Sequence, residues 1–260
     1  SCQLVRSACA TFPCGTGLGW DKFHPRAIAR LCDDAIIALI RIFILAELLG
    51  EWPSGVGIVL ICLLPKPDGG RRPIGLLPSF IRLWMRVRLD VVRVWLSSNE
   101  RPYLYAGPMK GANVAAWKQA ARAEWAASNP THDYIANLLD LVKAFERVPH
   151  DWLVKHARAL RYPMRILKLS IQAYLLRRAI VVDGVASPVI IAVRGITAGS
   201  VFATIELRVL LITCMDRLIY RFPTVGLTVY VDDTSLEAVG PARTIIDDIV
   251  GATHFLVDCL

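Results

Sequence analysis

The sequence lacks any apolar run long enough to cross a membrane. None of its charge-free stretches is longer than the one between Glu51 and Lys66, which proline and glycine interrupt. A membrane-spanning helix needs at least about 18 consecutive apolar residues. The chain also has no signal-peptide pattern at its start. We therefore expect no membrane segment and an intracellular protein, with no preference between nucleus and cytoplasm.

Paired cysteines and repeat-forming residues are scarce as well. The seven cysteines are odd in number, and no two of them form a Cys-x-x-Cys pair. This spacing argues against a disulfide framework and against a zinc site, and it favours reduced, buried thiols. With 17 glycines and 15 prolines in 260 residues, the chain also lacks the bias of collagen or of low-complexity arrays.

Apolar and basic residues, in contrast, are abundant. Hydrophobic residues make up 55% of the chain, which excludes a disordered protein. The formal net charge is +8, so a polyanionic partner is favoured. Basic side chains in the first half would contact phosphates, although ordinary solvation of helices explains the same residues. They are Arg71, Arg72, Arg82, Arg86, Arg88, Arg93, Lys110, Lys118 and Arg122.

The pattern of apolar and polar residues predicts an α+β fold. Short strands rich in Val, Ile and Leu are mostly paired as hairpins, and helices cover them on one side. The predicted strands are 56–64, 73–77, 134–139, 179–182, 188–193, 227–231 and 235–239. The predicted helices are 25–49, 79–96, 113–127, 151–160, 163–176, 199–217 and a last one that starts at 240–241. Turn signals join two of the strand pairs, at Asp68-Gly69-Gly70 and at Asp183-Gly184.

Three aspartates stand at the ends of predicted strands. Asp140 follows the strand 134–139, and Asp232 and Asp233 form the tip of the last hairpin. Adjacent acids next to apolar strands are costly without a counter-charge, which divalent cations supply. Mg²⁺ prefers oxygen ligands and is usually held by one or two carboxylates plus substrate phosphates. Two such strand tips side by side would form a site for two metals about 4 Å apart, although Asp-Asp alone is also typical of a solvated turn.

Five segments resemble, in order, the motifs of reverse transcriptases. Residues 139–150, Leu-Asp-Leu-Val-Lys-Ala-Phe-Glu-Arg-Val-Pro-His, resemble the first palm motif of that family. Residues 194–200, Arg-Gly-Ile-Thr-Ala-Gly-Ser, are similar to the second, and Tyr230-Val-Asp-Asp233 is similar to the third. Residues 64–74 resemble the fingers segment of non-LTR retrotransposon and group II intron enzymes. Gly19-Trp-Asp21, with Pro25, resembles a non-LTR motif near the N-terminus.

This resemblance implies an RNA-directed DNA polymerase of the non-LTR retrotransposon type, with the palm and fingers of a right-hand polymerase. The palm would be an antiparallel sheet covered by helices. Residues 1–18 stay unassigned, residues 19–132 would form the fingers with part of the palm, and residues 133–260 would form the palm with its three catalytic motifs. The thumb would lie beyond the last residue, so we expect a partial sequence.

The resemblance also assigns roles to the acidic residues. Asp140 and Asp232 would bind two Mg²⁺ ions, which Mn²⁺ can replace, and Asp233 would lie beside them. The carbonyl of Leu141 would complete the shell of one metal. The site would transfer deoxynucleotides to the 3′-hydroxyl of a primer.

Further residues are assigned to the binding of the nucleotide. Lys66 and Arg72 would neutralise the triphosphate, although a solvated basic turn is the alternative. Arg194, Gly195, Gly199 and Ser200 belong to one binding motif, in which the glycines let the backbone approach the nucleotide and the template. A simple loop and helix start, capped by Ser200, is the alternative. Many family members carry Gln where this sequence has Arg194, and Pro where it has Val201.

Phe145 stands where the family has its sugar gate. A flat apolar ring there leaves neither room nor a hydrogen bond for a ribose 2′-hydroxyl, whereas RNA-dependent RNA polymerases tend to carry an acid at this spacing. A phenylalanine that packs in the core after a strand is the alternative. The residue therefore favours DNA synthesis over RNA synthesis.

The expected partners are an RNA template, a DNA primer and deoxynucleoside triphosphates, with the thumb and endonuclease domains of the same polyprotein. Two other functions stay open. One is an RNA-dependent RNA polymerase of related palm fold. The other is a degenerate remnant of a retroelement that binds nucleic acid without catalysing a reaction.

Overall fold

The chain folds into two compact units, each built around its own β-sheet. The computed structural model describes residues 1–67, 69–107, 110–182 and 184–260. The first unit consists of Ser1–Ser98 and Phe145–Glu206, and the second of Asn99–Ala144 and Leu207–Leu260. Asp68 and Asp183, which belong to two predicted turns, lie outside the described residues. No helix in the described part of the chain is both long and apolar enough to span a membrane.

A four-stranded mixed sheet with surrounding helices forms the first unit. The strand order is β2-β1-β4-β5, with β1 antiparallel to β2 and parallel to β4. The strands are β1 (Val59–Pro65), β2 (Arg71–Leu76), β4 (Arg178–Val182) and β5 (Val185–Ala186). The helices are α1 (Cys2–Ala10), α2 (Asp33–Leu49), α3 (Ser79–Ser98), α5 (His150–Ala159) and α6 (Met164–Tyr174), with the start of α7 (Ala203–Arg221).

An ion pair and aromatic rings hold α2 against α3 in the first unit. Glu47 of α2 accepts a hydrogen bond from Trp84 Nε1 at 2.6 Å and a second from Arg88 Nη2 at 2.9 Å. Trp84 is fully buried and packs edge-on against Trp52 and Phe202. Because the Arg88 guanidinium neutralises the half-buried carboxylate, the charge can lie beside the aromatic core without a large desolvation penalty.

Asp21 caps the N-terminus of α3 from a position far away in the sequence. Its carboxylate accepts the backbone N–H of Ser79 at 2.6 Å. Arg82, one turn further along α3, donates to the carbonyl of Gly17 at 2.8 Å and to the Ser79 hydroxyl at 3.1 Å. The segment around Gly19-Trp-Asp21 is therefore anchored to the start of the helix, where a carboxylate satisfies a free N–H group and complements the helix dipole.

A three-stranded antiparallel sheet forms the centre of the second unit. Its order is β3-β7-β6, and the backbone of 103–105 pairs with Val229 at the free edge of β6. Helix α4 packs on one face through Arg122 and Glu237, and α8 packs on the other through Asn137 and Thr253. The elements are α4 (Ala112–Ala127), β3 (Asp133–Leu139), β6 (Gly226–Tyr230), β7 (Asp233–Gly240) and α8 (Ala242–Cys259), with the rest of α7.

Three features of the first unit differ from the sequence prediction. The predicted helix 25–49 is divided into a short 3₁₀ turn, Pro25–Arg30, and α2. The predicted strand 188–193 does not form, because the Ser187 hydroxyl binds the backbone of Ile180 and of Pro188, which leaves only a single bridge at Ile190. Helix α1 lies within the segment that the sequence left unassigned.

We predict that Asp21→Ala lowers the free energy of unfolding by about 1–2 kcal/mol, because the first N–H of α3 loses its acceptor. Asp90→Ala is the matched control, since Asp90 makes only an exposed pair with Arg93 one turn away, worth less than about 0.5 kcal/mol. Urea denaturation of both variants measures the difference. Equal losses in the two variants would show that Asp21 is not a cap.

Candidate active site

The strand pairing of the second unit places two of the three aspartates side by side. Leu139 of β3 pairs with Thr234 of β7, so Asp140 follows directly beside Asp233. Both carboxylates are exposed, and both line a cavity of about 310 Å³. Asp232 is half-buried in the hairpin turn and is not part of the cavity lining. The structure therefore brings Asp140 and Asp233 together at one end of a cavity.

The hairpin turn that carries Asp232 has an unusual backbone. Tyr230 pairs with Asp233, which leaves only Val231 and Asp232 in the turn. Val231 has a φ of 62°, in the left-handed region that β-branched residues rarely adopt. Such a conformation costs about 1–2 kcal/mol in a residue other than glycine. The two-residue turn thus fixes both aspartates at the cost of local strain.

Three alanines of α4 leave room for the cavity on that side. The wall that α4 forms consists of Ala112, Ala115, Ala116 and Gln119. The sheet wall consists of Leu138, Leu139, Thr228, Tyr230, Thr234 and Ser235, together with the two aspartates. Leu138 is 75% exposed, and the hydroxyls of Thr234 and Ser235 are buried without a hydrogen-bond partner. The cavity is thus largely apolar, with two carboxylates at one end.

A buried charge anchors α4 to the same face of the sheet. Glu237 is 1% exposed and accepts from Arg122 at 3.0 Å and from the Tyr134 hydroxyl at 3.1 Å. Burial, and then the neighbouring Glu237 carboxylate, raise the pKa of Tyr134 to about 12. Both carboxylate oxygens are therefore satisfied, and the pair fixes the position of the helix that forms one wall of the cavity.

A second group of charges holds the edge of the sheet to α7. Asp216 accepts from Arg101 Nε at 2.9 Å and from the Tyr103 hydroxyl at 2.7 Å, and Tyr103 in turn pairs with the backbone of Val229. The hydrogen bond to Asp216 raises the pKa of Arg101, and burial raises the pKa of Tyr103. Because Val229 lies directly before Tyr230, this group supports the hairpin of the aspartates.

The oxygen atoms at the strand tips fit Mg²⁺ to a limited extent. Across the described ranges, no three His, Cys, Asp or Glu side chains come close enough to hold a metal ion by themselves. Two carboxylates that line one cavity do fit the usual Mg²⁺ site, in which the substrate phosphates complete the shell. The Leu141 carbonyl accepts the N–H of Ala144 at 3.1 Å, and its second lone pair can still reach a ligand.

The first unit carries the residues that the sequence assigns to nucleotide binding. Lys66 and Arg72 are exposed and belong to the β1–β2 hairpin, where Leu64 pairs with Arg72. The turn between them is closed by the N–H of Lys66, which donates to the Gly70 carbonyl at 2.8 Å. The two cations are thus presented at one end of the hairpin.

Phe145 and Gly195 lie on neighbouring stretches of backbone. Ile196 donates its N–H to the Phe145 carbonyl at 2.7 Å, and Gly195 donates to Val148 at 2.8 Å. Gly195 has a φ of 92°, and a Cβ atom there would lie 2.7 Å from the Glu146 carbonyl oxygen. Packing against the Glu146 backbone therefore requires glycine at position 195, whether or not a nucleotide binds. Phe145 is half-buried, and Arg194, which precedes Gly195, is exposed.

Gly199 makes a second close approach, to the backbone of β2. The N–H of Gly75 donates to the Ala198 carbonyl at 2.6 Å. Gly199 has a φ of 107°, and a Cβ atom would lie 2.5 Å from the Gly75 carbonyl oxygen. The hydroxyl of Ser200 accepts the N–H of Phe202 at 3.2 Å, as a helix cap would. The second palm motif is thus attached to the β1–β2 hairpin through main-chain contacts.

Sequence reasoning missed a buried acid next to this motif. Glu206, in the first turn of α7, is fully buried and accepts from the Tyr174 hydroxyl at 2.6 Å. The hydroxyls of Tyr162 and Ser170 lie near the same carboxyl, but neither meets hydrogen-bonding geometry with it. Burial raises the pKa of Glu206 to about 8, and the nearby hydroxyls oppose this shift. The available signal was a lone acid among apolar residues of a predicted helix.

Most of the basic residues of the first half are engaged within the protein. Arg82 is buried, and Arg88, Arg93, Lys110 and Arg122 form ion pairs. Arg86 and Lys118 lie over the rings of Phe12 and Tyr105. Arg71 and Arg72 are both exposed. These internal contacts differ from both roles that the sequence offered, which were phosphate binding and ordinary solvation of helices.

The antiparallel sheet with acids at its strand tips, together with the β1–β2 hairpin, has the palm and fingers architecture of a right-hand polymerase. The family model described as reverse transcriptase (RNA-dependent DNA polymerase) matches residues 64–250. The chain therefore belongs to the reverse transcriptase family, as the motifs predict.

Among solved structures, the chain is similar to the apo telomerase of Candida tropicalis truncated from its C-terminal domain. The TM-score is 0.52 at 12% identity, and the match covers 77% of this chain. At this identity the likeness concerns the fold alone, and the α+β prediction is confirmed. The match covers 46% of the telomerase chain, less than half its length. No curated protein matches the sequence.

We predict that Glu206 contributes a decrease in stability as the pH rises from 4.5 to about 8, because in that range folded Glu206 holds a proton that the unfolded chain has released. The slope contributed by this one group is at most about 1.4 kcal/mol per pH unit. Glu206→Gln should remove the decrease, and Glu124→Gln, at an exposed position on α4, should retain it. Unfolding free energies at pH 5 and pH 8 provide the measurement, and parallel curves for wild type and Glu206→Gln would contradict it.

Proposed function

We propose that the chain is the RNA-directed DNA polymerase domain of a non-LTR retroelement. It adds deoxynucleotides to the 3′-hydroxyl of a DNA primer on an RNA template. The observation that carries the proposal is the cavity shared by Asp140 and Asp233, at the ends of two paired strands. The motif at residues 64–74 supports the non-LTR type, and the fingers and palm boundaries at residue 132 are part of the same proposal.

In this proposal Asp140 and Asp232 would hold two Mg²⁺ ions, and Asp233 would support them from the cavity wall. When bound, the ions would activate the primer hydroxyl and stabilise the leaving pyrophosphate. Asp140 and Asp233 stand at the ends of two paired strands, and the two-residue turn Val231–Asp232 leads directly into Asp233.

Lys66 and Arg72 neutralise the triphosphate as charge develops on its oxygens. Both are exposed, so neither has to break a buried ion pair in order to bind phosphate. The close packing of Gly195 and Gly199 against backbone keeps the second palm motif in one conformation. A rigid wall of this kind orients the nucleotide before transfer and lowers the entropy that is lost in the reaction.

Two rival functions differ in their expected chemistry. An RNA-dependent RNA polymerase would prefer ribonucleotides, which Phe145 argues against. A remnant without activity would bind nucleic acid but transfer no nucleotide. The presence of all three motif aspartates, two of them at the ends of paired strands, argues against the remnant, because a decayed site would have no reason to retain them.

We expect Asp140→Ala or Asp232→Ala, in the full-length protein, to reduce primer extension at saturating Mg²⁺ by at least about a hundredfold, because the metals lose a ligand. The affinity for primer–template should stay nearly unchanged. Asp233→Asn should reduce the rate less, since Asp233 has a supporting role. Single-turnover extension and fluorescence anisotropy measure the two quantities.

Asp247→Ala is the control for these variants. Asp247 is an exposed carboxylate on α8, in the same unit but outside the cavity, and its loss should leave extension unchanged. Full activity of either metal-ligand variant would end the two-metal assignment. A larger loss of the extension rate in Asp233→Asn than in Asp232→Ala would show that Asp233 is the metal ligand and Asp232 the supporting residue.

We further predict that Phe145→Ala raises the use of ribonucleotides relative to deoxynucleotides. The ring should exclude a 2′-hydroxyl by its size and leave it without a hydrogen bond, which costs roughly 1–3 kcal/mol from desolvation alone. The ratio of kcat/KM for matched dNTP and rNTP gives the result. Phe222→Ala, which removes a half-buried ring from the end of α7, should leave the ratio unchanged. A wild-type preference for rNTPs would favour the RNA polymerase instead.

A further inference from the structure

A chain of hydrogen bonds runs from the second palm motif into the core of the first unit. The Ser200 hydroxyl lies 2.8 Å from the hydroxyl of Tyr174, which lies 2.6 Å from Oε2 of Glu206. Tyr174, the last residue of α6, and Glu206, in the first turn of α7, are both fully buried. The motif that faces the nucleotide in the proposed function is thus connected to two core side chains.

The number of available protons determines the direction of this chain. Tyr174 donates its single proton to Glu206 Oε2, which can accept it both when the carboxyl is ionised and when it carries its own proton on Oε1, and Tyr174 then accepts from Ser200. Ser200 in turn accepts the N–H of Phe202 at 3.2 Å. The sulfur of Met85, 3.5 Å away, is a weaker acceptor for the Ser200 proton than the Tyr174 oxygen. The Ser200 hydroxyl is therefore bound inward on both its donor and its acceptor sides.

The same serine closes the turn that contacts β2. The N–H of Ser200 donates to the Thr197 carbonyl at 3.0 Å, and the Ala198 carbonyl within that turn accepts the N–H of Gly75 at 2.6 Å. Gly75 lies three residues after Arg72 in the same strand. A displacement of Ser200 would therefore move the turn and loosen its contact with the strand that carries Arg72.

We propose that Tyr174 is a positioning residue of the nucleotide site, which holds the Gly199–Ser200 turn against β2 through the Ser200 hydroxyl. Ser200 acts through the position of its backbone and not through a hydrogen bond from its hydroxyl to substrate. Glu206 orients the Tyr174 hydroxyl by accepting its proton. This role rests on the proposed function, because it assumes that the turn borders the incoming nucleotide.

The test compares Tyr174→Phe with Tyr162→Phe in the full-length protein. Each variant removes one hydroxyl near the Glu206 carboxyl, but only Tyr174 contacts Ser200. In Tyr174→Phe we expect the KM for dNTP to rise roughly threefold to tenfold, as the loss of one neutral hydrogen bond implies, with kcat changed less. The primer–template Kd should stay within about twofold, since the phosphate contacts that dominate it are unaltered. Tyr162→Phe should change none of these values.

A double-variant cycle separates positioning from a general loss of stability. Ser200→Ala should raise the KM to a similar extent, and Tyr174→Phe combined with Ser200→Ala should be no worse than either single variant, because both remove the same interaction. Additive effects, or an equal rise of the KM in Tyr162→Phe, would overturn the positioning role.

Hydrogen exchange tests the same contact without any activity. The amide of Phe202, which donates to Ser200, should exchange faster in Tyr174→Phe than in wild type. In Tyr162→Phe its exchange rate should be the same as in wild type. Equal exchange in all three proteins would overturn the proposal. Wild-type protein that incorporates no deoxynucleotide would overturn the proposed function instead, and the exchange rates would still decide whether Tyr174 holds the turn.

Discussion

The register between β3 and β7 is the constraint on which the proposed chemistry depends. It places Asp140 beside Asp233, and the two-residue turn that contains Val231 closes the hairpin directly before Asp233. Each of the surrounding contacts serves this arrangement. Glu237 with Arg122 fixes α4 at one wall, and Asp216 with Tyr103 fixes the outer edge of the sheet. The second unit thus holds the two acids in the lining of one cavity, where the proposed function places the metal ions.

In the first unit, backbone contacts hold the second palm motif in place. Gly195 and Gly199 approach the carbonyls of Glu146 and Gly75 so closely that no other side chain fits. The turn at Gly199–Ser200 is also held by the hydrogen bond between the hydroxyls of Tyr174 and Ser200. Positions that the family resemblance assigns to substrate therefore also carry a folding role. A substitution at either glycine would affect the fold as well as any nucleotide, so activity alone cannot separate the two effects.

Local pattern was enough to predict much of this architecture. The hairpin of Asp232 and Asp233, the strand before Asp140 and the long helix α3 follow from alternation and turn residues within a few positions. Contacts between distant segments could not be predicted in this way. The parallel pairing of β1 with β4 and the bond of Tyr174 to Glu206 join segments with no local signal for each other. The predicted strand 188–193, which does not form, shows a second limit, because the Ser187 hydroxyl accepts a backbone N–H of β4 that strand pairing would otherwise use.

The internal use of the arginines has a consequence for the thermodynamics of nucleic-acid binding. In the proposed function, a side chain that already pairs with a carboxylate displaces few of the counterions condensed on the nucleic acid, since each new phosphate contact first breaks an existing ion pair. Arg88, Arg93 and Arg122 are all paired in this way. The logarithm of the association constant should therefore fall with the logarithm of ionic strength less steeply than the 30 basic residues alone would suggest. The net charge of +8 still acts at a distance, where it accelerates the encounter with a polyanion.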